Sequence, residues 1–203
     1  MPVTSVIFDV GHVLYDWDPR ILYERLFDDE QALDAFLRDV ATREWHFQHD
    51  AGRPFAETSA ELIARHPDHA DMIRLWGPRF SEQIPGPMPG MVELVEELDA
   101  AGVPLFAITN FSGEFFAPFR LREARLFDRF RDIVVSGDEK MVKPDRVIFE
   151  LALRRFGVAA DETIFVDDNE ANVAGAEAVG IRAHHFRGAE ALRAELKSLE
   201  LLA

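Results

Sequence analysis

Short β-branched runs that alternate with longer helical stretches constrain the fold of this chain more than any other feature. Val6 to Phe8, Leu105 to Ile108, Ile133 to Val135, Ile164 to Val166 and Ile181 to His184 read as strands. They are apolar and uninterrupted, as expected of parallel strands covered on both faces. Ahead of the second strand, Met91, Leu94, Val95 and Leu98 share one face of a helix over Met91 to Ala101, and Gly102 follows as a stop. Ile148, Leu151, Ala152 and Phe156 repeat that spacing before Gly157. The recurring unit of helix, stop and strand predicts an α/β fold, a Rossmann-like doubly wound and mainly parallel sheet.

The stretch from Asp18 to Pro85 breaks the alternation. It predicts helices over Ile21 to Phe27, Glu30 to Ala41, Phe55 to Ala64 and Ala70 to Ile84, with no strand among them. A helical insertion after the first strand is the simplest account: a core of residues 1–17 and 86–203, with a small helical cap over 18–85. Two domains in series fit less well, because no Gly/Ser-rich or Pro-rich linker separates the halves. A chain of 203 residues with 48% hydrophobic content can bury one sizeable core and carry such an accessory unit. The absence of cysteine excludes disulfides, thiolate chemistry and a cysteine zinc site. A formal charge of -15 repels polyanions, so nucleic acid and anionic membrane surfaces are not expected as partners, and a small anionic substrate needs a local positive site. No apolar stretch approaches the roughly 18 to 20 residues that span a bilayer, and no basic region precedes an apolar run at Met1 to Ser5. The expectation is a soluble cytoplasmic protein, monomeric or homodimeric, acting on a small molecule.

Chemistry is expected at the carboxyl ends of the strands, where open α/β sheets bind their ligands. Asp9 follows the first strand, Thr109-Asn110 the second, Lys143-Pro144 lies just past the third, and Asp167-Asp168 follows the fourth. Each alone also reads as a helix N-cap or turn residue. A carboxylate ending a buried strand is unfavourable unless a lysine or a metal compensates it, and these four positions together contain both possibilities.

Together they resemble the haloacid dehalogenase superfamily. Ile7-Phe8-Asp9-Val10-Gly11-His12-Val13-Leu14 is similar to its first motif, Thr109 to its second, Lys143 to its third, and Asp167-Asp168-Asn169 with Asn172 to its fourth. Within the superfamily the combination most resembles bacterial sugar-phosphate phosphatases of the alpha-glucose-1-phosphate type. The resemblance implies a phosphatase in which Asp9 attacks phosphorus and forms an aspartyl phosphate. It implies Mg2+ held by Asp9, Asp168 and the carbonyl of Gly11. Thr109, Asn110, Val10 and Gly11 would donate hydrogen bonds to the phosphoryl group, and Lys143 would supply the cationic contact. Pro144 would fix the turn and Asp145 would cap the next helix. Two rivals remain: a haloacid dehalogenase, which uses the same aspartate on carbon without metal, and a non-catalytic phosphate binder.

One departure matters. Phosphatases of the superfamily usually carry a second aspartate two residues after the nucleophile as general acid and base, and here that position is Gly11. Such help is worth about 10² to 10⁴ in rate. Without it, phosphoryl transfer is expected to depend steeply on leaving-group acidity, and a shallow dependence would reveal an acid elsewhere, in His12, the cap or the substrate. Specificity is expected in the insertion, where Trp45-His46-Phe47-Gln48-His49-Asp50 and Arg53 mix aromatic faces with donors; Trp45, His49 and Arg53 are the substrate-binding candidates. The same stretch also reads as a helix end packed on the core. Phe111, Phe115, Phe116 and Phe119 are expected to pack beneath the cap, Asp16 and Asp18 to serve as turn and cap residues, and His184-His185 to have no role in the site. Asp9→Asn is expected to abolish turnover while leaving the fold intact, because the amide is nearly isosteric but a poor nucleophile. Steady-state assays beside circular dichroism check this; full activity, with deamidation ruled out by mass spectrometry, would contradict it.

Overall fold

The computed structural model describes all 203 residues. Its centre is one five-stranded parallel sheet, built from β1 (Ser5–Phe8), β2 (Leu105–Thr109), β3 (Asp132–Val135), β4 (Thr163–Asp167) and β5 (Arg182–His185) in the order β3-β2-β1-β4-β5. Strand period explains the layers, since successive side chains point to opposite faces. Val6, Phe8, Leu105, Ala107, Ile133, Val135, Ile164 and Val166 enter the larger apolar cluster on one face. Ile7, Phe106, Ile108, Val134 and Phe165 enter a smaller cluster on the other. All residues of β1, β2 and β4 are buried, which places their carboxyl ends side by side at the middle of one sheet edge. β5 departs from the apolar expectation: it begins at Arg182 rather than Ile181, and as an edge strand paired only to β4 it leaves Arg182 exposed.

The helix Met91–Ala100 buries Met91, Leu94, Val95 and Leu98 as its spacing predicts. Gly102, at φ 78, ends it, and the Val103 N–H returns to the Leu98 carbonyl at 3.0 Å. Asp18 caps the chain entry to the short helix Arg20–Tyr23 by accepting from the Arg20 N–H at 2.8 Å. Asp145 stands at the start of the helix Arg146–Phe156, but its side chain makes no capping bond there, contrary to expectation.

Between β1 and Met91 every regular element is helical. Two predicted helices are broken. Glu30–Ala35 widens into a looser turn over Phe36–Val40, closed by the Ala41 N–H to the Phe36 carbonyl at 2.9 Å. Ala70–Leu75 stops short of Gly77-Pro78, where proline disfavours a preceding helical residue, and only a tight turn over Phe80–Gln83 follows. A further helix, Arg43–Asp50, contains the aromatic and histidine cluster; Thr42 caps it by accepting from the Trp45 N–H at 3.1 Å.

The insertion is not an appendage with a separate interior. Trp45, Trp76, Tyr23 and Phe36 belong to the same apolar cluster as the sheet face, through Phe80, Phe111 and Phe115. Phe111, Phe115, Phe116 and Phe119 are buried and make edge and stacked contacts at that junction. The end of Arg43–Asp50 meets the short helix Ser136–Glu139, which follows β3, backbone to backbone. Ser136 Oγ donates to the Asp50 carbonyl at 2.6 Å, and a Cβ on Gly137 would come within 3.1 Å of the His49 carbonyl and 2.9 Å of the Phe111 carbonyl. Only glycine permits so close an approach. No helix is long and apolar enough to cross a membrane.

Candidate active site

β1 delivers Asp9 and β4 delivers Asp167 to the same edge, and one lysine joins them. Lys143 Nζ donates to Asp9 Oδ1 at 2.9 Å and to Asp167 Oδ2 at 2.7 Å, with its side chain fully buried. Asn110, at the end of β2, places that lysine: its amide nitrogen donates to the Lys143 carbonyl at 2.9 Å and its oxygen accepts from the Lys143 N–H at 2.8 Å. Asp167 is completed by Asn172 Nδ2, 3.1 Å from both oxygens, and by the Asn169 N–H at 2.8 Å. Asn169 in turn caps the next helix by accepting from the Ala171 N–H.

The oxygens of Asp9, Asp167 and Asp168 lie within 4.8 Å of one another. Asp167 is consumed by its lysine and asparagine partners. Asp9 uses Oδ1 for Lys143 and for the Val10 N–H at 2.6 Å, which leaves Oδ2 and the half-buried Asp168 carboxylate for other company. Three carboxylates against one ammonium leave two formal negative charges, matched by one divalent cation. Burial pushes the Asp9 carboxyl up to about 7, with Lys143 pulling down and Asp167 pushing up. Burial and then Asp167 also raise Asp168. Burial opposes the charge on Lys143, but Asp167 and Asp9 outweigh it and hold the ammonium above its ordinary value. This donor set fits a hard cation and loses a charge imbalance by binding one.

Above the carboxylates opens a cleft of about 480 Å³. Asp9, Gly11, Asn110, Lys143 and Asp168 line its floor, and His12, Trp17, Arg43, His46, Phe47, Asp50, Phe80 and Phe111 form much of its wall. Asp9, Gly11, Asn110, Lys143 and Asp168 therefore converge, while the candidates from the insertion do not. Trp45 is buried in the helical layer, with Nε1 donating to the Thr58 carbonyl at 3.2 Å and its ring against Trp76. His49 is buried and joined to the Thr58 hydroxyl at 2.6 Å. Arg53 points away and pairs with Glu61 at 2.7 Å. None of the three lines the cleft. Helical spacing accounts for the error: on Arg43–Asp50 the cleft face carries Arg43, His46, Phe47 and Asp50, and Trp45 and His49 occupy the opposite face. The Val10 N–H is likewise occupied by Asp9. Thr109 is buried at the end of β2, behind the cleft floor.

Two residues enter the site without having been expected. His185 Nε2 donates to the Asp168 carbonyl at 2.8 Å and so steadies the chain that carries Asp168. His46 lies between Trp17 and Phe80, with ring centroids 4.9 and 5.6 Å away. Burial, then His49, drives His46 down to about 3, so it is neutral.

A family model for haloacid dehalogenase-like hydrolases matches residues 3–180. The chain belongs to this family. It is 29% identical to the sesquiterpene phosphatase astK of Aspergillus oryzae, over 96% of this chain and 95% of that protein. It is also 29% identical to a ribulose-1,5-bisphosphate 5-phosphatase of Halopiger xanaduensis, over 92% of this chain and 86% of that one. A family enzyme of Bacteroides thetaiotaomicron, solved with magnesium and inorganic phosphate, shares the fold with a TM-score of 0.72 at 17% identity, over 92% of this chain and 95% of that one. The lysine between the two buried carboxylates lines the cleft as well as joining them. Lys143→Met is expected to destabilise the protein by about 3 to 5 kcal/mol, because Asp9 and Asp167 then lie buried without their counter-charge. Urea unfolding measures it; a loss below about 1 kcal/mol, the size of an exposed ion pair, would contradict this role.

Proposed function

We propose that this protein is a magnesium-dependent phosphatase of small phosphorylated metabolites, with Asp9 as nucleophile. The observation that carries this reading is the convergence of Asp9, Lys143 and Asp168 on one cleft floor, with Asp9 Oδ2 free of hydrogen bonds. Asp9 and Asp168, with the Gly11 carbonyl, would hold the cation, which when bound neutralises charge on the phosphoryl oxygens. Lys143 holds Asp9 Oδ1 and so fixes the orientation of the carboxylate that attacks phosphorus. Attack forms the Asp9 oxygen to phosphorus bond and releases the substrate alcohol; water then attacks phosphorus and returns the Asp9 carboxylate with inorganic phosphate. Arg43 and Lys143 are the cations on the cleft surface, and Lys143 is already paired. Arg43 has no ion-pair partner and supplies the positive wall that a strongly acidic chain otherwise lacks.

The wall also bears on the organic part of the substrate. Trp17, Phe47, Phe80 and Phe111 give it apolar surface, while Trp17 Nε1 and His46 Nδ1 are buried with no protein partner. Unpartnered buried polar atoms next to a cleft favour a ligand that brings its own polar groups. A hydroxyl-bearing leaving group, as in a sugar phosphate, meets both demands, and the contacts fall to Trp17 and His46 in place of Trp45, His49 and Arg53. The open space at Gly11, where an added Cβ would meet nothing within 4 Å, leaves room for it. Magnesium titration of p-nitrophenyl phosphate hydrolysis tests the reading. Native protein is expected to turn over with saturable magnesium dependence, and Asp168→Ala to need at least about tenfold more magnesium or to lose activity. Unchanged metal dependence in that variant would misplace the site. Halide release from haloacids without metal would instead make the protein a dehalogenase, and neither activity would make it a binder.

A further inference from the structure

We propose that Asp50, brought to the cleft by the insertion, is the general acid and base that position 11 does not supply. The proposal rests on the phosphatase reading and deepens it. Asp50 is the last residue of the helix Arg43–Asp50 and lines the same cleft as Asp9, Lys143 and Asp168. Its place is set by the core as well as by its own helix, because Ser136 holds its carbonyl at 2.6 Å and Gly137 lets the two backbones meet. The residue is 7% exposed, and Oδ1 is buried with no hydrogen-bond partner. The nearest base to the other oxygen is His46 Nε2 at 3.7 Å, longer than a hydrogen bond. No lysine or arginine pairs with it. A helix end in this place needs no acid, and an unpaired buried carboxyl is unfavourable by itself. It is useful when something enters the cleft.

The surroundings decide its protonation. On its own helix, His46 and His49 are neutral, both lowered chiefly by burial, to about 3 and about 4. From the core, Asp9, Lys143 and the Ser112 amide face it, and Arg43, His12 and Asp168 lie elsewhere on the cleft surface. Burial pushes the Asp50 carboxyl up to about 8; the Ser112 amide and Lys143 pull it down and Asp9 pushes it further up. An incoming phosphate ester, itself an anion, acts in the same direction as Asp9, and a cation held by Asp9 and Asp168 acts against it. Burial therefore favours the protonated form of Asp50, the form a general acid needs. As the Asp9 oxygen bonds to phosphorus and the ester oxygen departs, that oxygen takes the Asp50 proton and leaves as an alcohol. The resulting Asp50 carboxylate then takes a proton from the water that attacks the aspartyl phosphate, which frees Asp9 and restores the acid. His12 is worse placed: its ring is half-exposed and turned to Asp16, with Nδ1 3.3 Å from Oδ1. The steep leaving-group dependence expected from Gly11 alone gives way to a shallow one.

The test compares native protein, Asp50→Asn and His12→Gln on aryl and alkyl phosphates in single-turnover experiments with magnesium. Asp50→Asn is expected to lose at least about 10²-fold on alkyl phosphates and much less on p-nitrophenyl phosphate, whose leaving group needs no acid. The alkaline fall of kcat/KM should vanish in Asp50→Asn and persist in His12→Gln. Equal losses on both substrates, or a slope that steepens only in His12→Gln, would overturn the assignment. In metal-free native protein, carbon-13 NMR of the aspartate carboxyls should show Asp50 titrating near 8. A carboxyl already ionised at pH 6 would overturn it even if the variant failed to fold. Native protein without any magnesium-dependent hydrolysis would sink the phosphatase reading and the acid with it, whereas an unimpaired Asp50→Asn would sink the acid alone.

Discussion

A single ammonium, that of Lys143, holds together two carboxylates that would otherwise repel each other at the buried edge of the sheet. The rest of the site depends on this contact. Lys143 satisfies Asp167, which then anchors the start of the following helix through Asn169 and Asn172, and it fixes one oxygen of Asp9 while leaving the other free. A buried ion triad of this kind gains little net stability, since desolvation offsets most of the Coulomb attraction. What it provides is position. Asn110 grips the backbone of Lys143 from β2, so three strands contribute to one arrangement of charge.

The second constraint is the contact between the insertion and the core. The helices and the sheet face share one apolar cluster, and the glycine contact in the short helix after β3 brings the end of Arg43–Asp50 against the core. The cleft is what remains between a charged floor and a mostly aromatic wall. In that low-dielectric space Asp9 and Asp50 both rise, whereas His46 falls, for the one reason that burial disfavours whichever form is charged. The cleft therefore holds two acids pushed toward their protonated forms and a neutral His46.

Much of this was legible in the residues. The apolar, uninterrupted strands, the helix with Met91, Leu94, Val95 and Leu98 inward, and the placing of Asp9 and Asp168 just after strands all follow from patterns with a direct geometric meaning. The insertion was legible as helical but not in detail. Proline at position 78 and the widened turn after Phe36 interrupted helices that apolar spacing alone had joined. The wall of the cleft was not legible at all: composition marked the stretch from Trp45 to Asp50, but which face of that helix meets the cleft depends on how it docks. Trp45 is the better sugar-stacking residue by chemistry, and the fold uses it as core. Thr42 as a helix cap sets the spacing of Arg43, His46, Phe47 and Asp50 along one face; choosing between that face and the one bearing Trp45 and His49 requires the tertiary structure.

The covalent role of Asp9 is the claim on which the account stands, and trapping the phosphoryl enzyme tests it most directly. Native protein mixed with magnesium and a phosphate ester would be quenched within a turnover, reduced with borohydride, digested and read by mass spectrometry. Borohydride converts an aspartyl phosphate to homoserine and leaves an unmodified aspartate alone. The account predicts homoserine at position 9 and at no other aspartate, in an amount that rises and falls with the burst of product. Rapid hydrolysis with Asp9 recovered unmodified at every quench time, or homoserine at Asp50, Asp167 or Asp168 instead, would contradict it.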